Sequence, residues 1–423
     1  MMRPGFSPAF GRVALGVLAM RSILPIDQLI RTDRQAKLSM NCATDRICLT
    51  LELESTHHLM NNQFGLSHLT NSIFNSLSVP NTSDSLSLGI GAKRECLILI
   101  DGMGQDALDK FAYQFTIFSQ LKNQANLKAN FPSTTATSLS TLGTGELPGV
   151  HGMLGYTIRV PRSDNRLLNA LKWDERVDPV MWQKVPTLFE RAVQSGVSVS
   201  HVAARRYEGS GFTQAALRGA KYFGANGIDE MVTAVAAALK PQPSFVYTYL
   251  NTLDAAGHNE GVGSDKWLTA LQQVAEFITK VISTVPAGTR VWITSDHGMV
   301  NSTQQSILGQ DNQLLENVTL IGGEPRARHI YIKEGAEAET IAQWREFYKD
   351  QVQVLSRDEA VINNLFGEVV TEDSKERMGD LIAIPNNDLI LVDPARVREE
   401  TGMVGHHGGV TDIEVNIPLL TAN

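Results

Sequence analysis

Two kinds of hydrophobic pattern alternate along this chain. Leu97–Ile100, Val197–Ala203, Phe245–Leu250 and Arg290–Thr294 are short, nearly unbroken apolar runs. Runs of that length suit strands buried on both faces, as in a parallel sheet. Between them lie segments with apolar side chains every third or fourth position, which predict helices over Leu66–Leu77, Ala107–Leu121, Val185–Gln194, Ile228–Leu239 and Trp267–Val285. In Ala107–Leu121 the stripe is Leu108, Phe111, Phe115, Phe118 and Leu121, and reads as core. Helix followed by apolar strand, repeated, implies right-handed crossovers. The expected fold is α/β: a three-layer sandwich with a mostly parallel central sheet and helices on both faces. After Ser302 the texture changes. His329–Ile332, Leu381–Ile384 and Leu389–Val392 surround a helical patch at Glu339–Asp350. We read a small inserted α/β subdomain at about 302–395, within a domain spanning 60–423.

Residues 1–59 do not share this alternation and read as an N-terminal extension. Arg3, Arg12 and the apolar Val13–Met20 have the outline of a secretion signal, but the run is short, Arg21 ends it, and no small-residue cleavage site follows closely. Translation starting at Met40 or Met60 accounts for the stretch as well. His57 and His58 read as solvated. No run is long enough for a transmembrane helix. The cysteines (Cys42, Cys48, Cys96) are odd in number and lack metal-type spacing, which favours a reducing compartment and no disulfide framework. A cytoplasmic, non-membrane protein is the expectation. A formal net charge of −8 argues against a nucleic-acid polymer as partner. It leaves room for a small phosphorylated substrate, because bound metal ions can supply the positive charge.

The polar residues of interest collect at strand ends, where open α/β sheets place their chemistry. Asp101 follows Leu97–Ile100. Asp254 and His258 follow Phe245–Leu250 in Asp-Ala-Ala-Gly-His, and Asp296 and His297 follow Arg290–Thr294 in Ser-Asp-His-Gly. Thr134 and Thr135 lie in Phe131-Pro-Ser-Thr-Thr, and His406 and His407 in Gly405-His-His-Gly-Gly409. Singly each has a plain reading: an i, i+4 surface pair, a turn, a helix N-cap, a flexible loop. Jointly, at successive strand ends, they make a nitrogen- and oxygen-donor set without thiolate, suited to zinc, with manganese or iron as alternatives. The set is too large for one tetrahedral ion and suits two ions sharing a substrate oxygen. A hydroxyl beside such ions is a candidate nucleophile.

With these motifs, and with Leu-Ile-Asp-Gly-Met-Gly104, the chain resembles the alkaline phosphatase superfamily, in its nucleotide pyrophosphatase/type I phosphodiesterase branch. The resemblance spans about Leu97 to Gly409. It implies an alkaline-phosphatase-like fold, with one metal held by Asp254, His258 and His407 and the second by Asp101, Asp296, His297 and Thr135. It selects Thr135 over Thr134, the family nucleophile standing three residues after the proline, and His407 over His406. The implied reaction is in-line attack by Thr135 on phosphorus, a phospho-threonine intermediate, then hydrolysis. The implied cofactors are two divalent ions, Zn2+ or Mn2+, and the substrate is nucleotide-like or another phosphodiester.

One position departs from the pattern. Better-known members follow His-Gly-x-x-Gly-like loops with an asparagine that donates to phosphate; here Tyr156 follows His151-Gly-Met-Leu-Gly155 and is the substrate-binding candidate. Arg326, Arg328 and His329 read either as an anion site or as solvated surface. A phosphomonoesterase or phosphonate hydrolase would keep the same ligands, and a non-catalytic metal-dependent binding protein is the reading from another class. Threonine at the nucleophile disfavours a metal-dependent phosphoglycerate mutase, and no sulfatase motif surrounds it.

Overall fold

The computed structural model describes residues 64–422; the stretch 1–59, with Cys42, Cys48, His57 and His58, lies outside the described residues. Eleven strands form its two larger sheets. In chain order they are β1 (Arg94–Ile100), β2 (Lys122–Lys128), β3 (Ser198–Ala204), β4 (Lys221–Ala225), β5 (Ser244–Leu250), β6 (Arg290–Thr294), β7 (Val318–Glu324), β8 (Ala327–Ile332), β9 (Val352–Ser356), β10 (Leu381–Pro385) and β11 (Asn416–Thr421). The central sheet has the order β2-β11-β6-β1-β5-β3-β4. β6, β1, β5, β3 and β4 pair in parallel, whereas β11 is antiparallel to both its neighbours.

Period-two alternation sends successive side chains of these strands into different layers. Cys96, Ile98, Ile100, Val202, Val246 and Ile293 join a core with the helices Ile228–Ala238 and Asp265–Thr284. The second of these helices shows why the sequence pattern works. Ser264 caps it through the Trp267 amide, and Trp267, Leu271, Val274, Ile278 and Val281 are buried at spacings of three and four. On the other face, Phe245 packs against Phe74 and Phe189. Phe74 belongs to α1 (Leu66–Ser76), which packs on α2 (Thr135–Thr144). At the end of β1 away from the site, Glu95 is fully buried and held by Arg290, Ser76 and the Trp292 indole.

The expected helix Ala107–Leu121 is broken. Gln105–Phe111 is helical, Ala112–Gln114 is a tight turn, Phe115 is extended, and Thr116–Gln120 is a second short helix. The break lets Phe111 lie edge-on to Trp267, so the aromatics are half-buried instead of forming one core stripe. One central-sheet strand carries a weak apolar signal. β2 reads Lys-Asn-Gln-Ala-Asn-Leu-Lys, with only Leu127 buried, as befits the edge of the sheet.

Beyond Met299 the chain builds a second, antiparallel sheet in the order β7-β8-β10-β9. With the helix Glu337–Tyr348 it encloses its own core around Trp344, Ile330, Leu381 and Leu391. This excursion is zipped shut where it rejoins. Gly405 and His406 pair with Asn301 and Val300, so the C-terminal histidines return beside the end of β6. Among the described residues no helix is long and apolar enough to cross a membrane.

Candidate active site

Parallel strands bring their carboxyl ends to one edge, and loops from β1, β5 and β6 meet there. The Asp101 amide donates to Leu250 O, tying the β1 loop to β5. The Gly102 amide donates to Asp296 Oδ1 at 3.2 Å, tying it to β6. Gly102 is needed twice over: its φ is +71°, and a Cβ there would lie 3.1 Å from the Cβ of Asp254. Three aspartates from three strand ends are thereby crowded together.

The histidines complete two donor groups. His258 Nε2 lies 3.4 Å from Asp254 Oδ1, and His407 Nε2 lies 3.9 Å from the same oxygen. His297 Nε2 lies 3.4 Å from both Asp101 Oδ1 and Asp296 Oδ2, and 3.2 Å from Thr135 Oγ1. The three rings share one arrangement. The Nδ1 atoms of His258, His407 and His297 face the carbonyls of Gly405, Ser133 and Gly298 at 2.8, 3.0 and 3.0 Å. A carbonyl accepts, so Nδ1 carries the proton and Nε2 presents a lone pair inward, the tautomer a metal requires. His297 also stacks on His407, with ring centroids 3.6 Å apart.

Buried carboxylates normally find hydrogen-bond donors, yet Asp101 Oδ1, Asp254 Oδ1 and Asp296 Oδ2 have none. Burial, then the charges of Asp254 and Asp296, push the Asp101 carboxyl well above its usual range. Burial also raises Asp296, against the opposing pull of His297. Burial, with His297 and His258 nearby, drives His407 well below its ordinary value. Like charges without counter-ions and neutral imidazoles with inward lone pairs are what divalent cations would relieve. Asp254, His258 and His407 form one group able to hold a cation; Asp101, Asp254 and His297 form another.

Thr135 is the first residue of α2, and Thr134 is its N-cap without a side-chain capping bond. It is Thr135 that reaches His297. Similarly His407, and not His406, approaches Asp254; the Nε2 of His406 instead meets Glu400 O at 3.0 Å. Tyr156 lines the same cavity, with Arg396 5.8 Å from its ring centroid. Its amide donates to Glu324, the last residue of β7, at 2.8 Å.

Arg326, Arg328 and His329 meet neither of their expected descriptions. All are buried. Arg326 makes a two-pronged ion pair with Glu414, Arg328 pairs with Glu400, and His329 bridges Leu154 O and the Gly379 amide. They fasten the second sheet to the loops beneath it.

The cavity measures about 550 Å³ and includes residues the sequence pattern does not single out. Tyr249 donates to Asp101 Oδ2. Tyr207 lies edge-on to Tyr249, and Arg206 bridges the Tyr207 hydroxyl and Asn251 Oδ1. Tyr247, His201, Glu324 and Arg396 also line it. Tyr247 and Tyr249 are two apart on one strand, so a shared face is readable; their burial in an apolar run makes them look like core.

The family model described as type I phosphodiesterase/nucleotide pyrophosphatase matches residues 96–410. No curated protein matches the sequence. Among solved structures, murine ectonucleotide pyrophosphatase/phosphodiesterase 5 superposes with a TM-score of 0.62 at 16% identity, covering 78% of this chain and 87% of that one. An inactive variant of the murine protein in complex with AMP gives 0.61 at 15%, covering 78% and 88%. Phosphonoacetate hydrolase from Sinorhizobium meliloti 1021, in complex with phosphonoformate, gives 0.59 at 16%, covering 78% and 90%. At such identities the likeness speaks for the fold alone.

Proposed function

The chain belongs to the type I phosphodiesterase/nucleotide pyrophosphatase family, a family of hydrolases, and we propose that it cleaves a small phosphodiester with Thr135 as nucleophile. Asp254, His258 and His407 would hold one divalent ion; Asp101, Asp296, His297 and Thr135 would hold the other. The donor set, nitrogen and carboxylate oxygen without sulfur, suits Zn2+, with Mn2+ as the alternative. When bound, such ions polarise phosphoryl oxygens and lower the pKa of a coordinated hydroxyl or water.

The observation that carries this reading is the convergence of three unpartnered buried carboxylate oxygens with the Nε2 atoms of three histidines. The chain's own residues then divide the work. Thr135 Oγ forms the new bond to phosphorus as the bond to the departing alcohol breaks. Its position at the start of α2 favours the negative charge that gathers on the phosphoryl oxygens. Water cleaves the resulting phospho-threonine, returning the hydroxyl. Carbonyls of Gly405, Ser133 and Gly298 fix the histidine rings throughout.

Tyr156 stands where an asparagine would be expected, and its hydroxyl is the candidate donor to substrate phosphate. The neighbouring AMP and phosphonoformate complexes support a small phosphorylated or phosphonate ligand over a polymer. The test is turnover of bis-p-nitrophenyl phosphate against p-nitrophenyl phosphate, with zinc or manganese and with chelator. Chelator-sensitive preference for the diester supports the proposal. Preference for the monoester moves the assignment to a phosphatase, and no turnover of either contradicts it.

A further inference from the structure

The cavity extends past Thr135 to side chains that the proposed chemistry does not use. Tyr247 on β5 and His201 on β3 are direct cross-strand partners, with ring centroids 4.9 Å apart. Both line the cavity, and both are at least nine-tenths buried, Tyr247 at 0% and His201 at 3% exposure. Neither finds a protein partner for its polar atoms. The Tyr247 hydroxyl, His201 Nδ1 and His201 Nε2 are all unsatisfied. Tyr222, the next aromatic in the row, cannot help, because its hydroxyl donates to Ala204 O. Leu139, Phe212 and Leu217 line the cavity with them and offer no side-chain donor or acceptor.

Unsatisfied buried polar groups are costly and few, and three on adjacent strands facing one cavity ask for a ligand. We propose that Tyr247 and His201 form a subsite for an uncharged hydroxyl group on an alcohol esterified in the substrate. The proposal rests on the phosphodiesterase reading and deepens it by naming the alcohol's chemistry.

The match is one of donors and acceptors. A phenol both donates and accepts, and a neutral imidazole donates from one nitrogen and accepts at the other. Burial lowers the His201 pKa to about 3, so the ring is neutral at ordinary pH. A subsite without net charge brings no counter-charge to a carboxylate or phosphate, and desolvation would oppose burying either. A hydroxyl can satisfy two of these groups at once. A purely alkyl chain would leave all three as they are, so the subsite discriminates by what it would leave unpaired.

The test uses the full-length metal-loaded protein and a short series of p-nitrophenyl ω-hydroxyalkyl phosphates, each against the unsubstituted alkyl ester of the same length. At the length that reaches the subsite, kcat/KM should favour the hydroxyl ester by roughly three- to tenfold, the range for one net hydrogen bond. In Tyr247→Phe that ratio should collapse toward unity, and His201→Gln, which keeps a donor and an acceptor, should retain part of it. A ratio of unity at every length in the parent protein overturns the proposal, as does a ratio that survives in Tyr247→Phe. If no diester is turned over, the hydrolytic reading fails by itself. The subsite is then judged by thermal shift with ω-hydroxyalkyl phosphates against alkyl phosphates. Greater stabilisation by the hydroxyl compounds, lost in Tyr247→Phe, supports it; equal or absent stabilisation overturns it.

Discussion

Replacing Tyr249 with Phe removes one oxygen atom from the site and little else. That oxygen donates to Asp101 Oδ2, while Asp101 Oδ1 faces His297 Nε2 without a donor of its own. The phenol therefore sets which carboxylate oxygen is left for a cation. A hydrogen bond to a charged acceptor is worth about 1.5–3 kcal/mol, which corresponds to roughly 10- to 150-fold in affinity for the ion that Asp101 would hold. Outer contacts to metal ligands elsewhere cost about 10- to 100-fold when removed, so the two scales agree. The bond also has a pH signature. It lowers the Asp101 pKa against the raising effects of burial, Asp254 and Asp296. Without it Asp101 holds its proton to higher pH, a cation must displace that proton, and the pH midpoint of metal loading moves up. Competition against a chromophoric zinc chelator across a pH series resolves both effects. The reasoning is refuted if Tyr249→Phe changes neither zinc affinity nor the midpoint, or if it weakens zinc equally at both proposed sites.

Other perturbations separate site geometry from general stability. Gly102→Ala should cut metal loading, because it strains a φ of +71° and drives a Cβ to 3.1 Å from Asp254; unchanged zinc stoichiometry would count against that crowding. Glu95→Leu should cost about 3 kcal/mol in chemical unfolding while leaving zinc affinity intact, since it strands Arg290 and the Trp292 indole far from the strand ends that form the site. Tyr156→Phe should raise KM for a phosphodiester by about three- to tenfold with a smaller effect on kcat, the loss of one hydrogen bond to substrate; an unchanged KM removes Tyr156 from the site.

The three candidate aspartates stand out in the sequence because each comes shortly after an apolar run that reads as a buried strand. Asp101 and Asp296 stand level with each other just past β1 and β6, and Asp254 lies in the helix Thr252–Glu260 that starts just past β5, so adjacent parallel strands deliver all three to one edge. The resemblance chose Thr135 and His407 over their neighbours by register alone; in the structure Thr135 Oγ1 lies beside His297 and His407 Nε2 near Asp254. That placement depends on which side chain the helix start at Thr135 and the ribbon at Gly405–His406 direct inward. Arg326 and Arg328 look like surface charge because their partners, Glu414 and Glu400, lie far along the chain. Tyr247, Tyr249 and His201 were hidden for the opposite reason. Set in apolar strands, they resemble packing, and only the cavity above them shows that their polar atoms have work to do. The phenylalanine stripe of 107–121 misleads as a single helix because helical spacing survives a break; Phe115 turns extended where Phe111 meets Trp267.

The most direct test of the central claim is rapid acid quench of the zinc-loaded protein during turnover of bis-p-nitrophenyl phosphate, followed by peptide mass spectrometry. The account predicts a p-nitrophenyl phosphoryl adduct on Thr135, absent from chelator-treated protein, and a Thr135→Ala variant that forms no adduct, loses turnover and still binds zinc. An adduct on another residue, or undiminished turnover by Thr135→Ala, would contradict it.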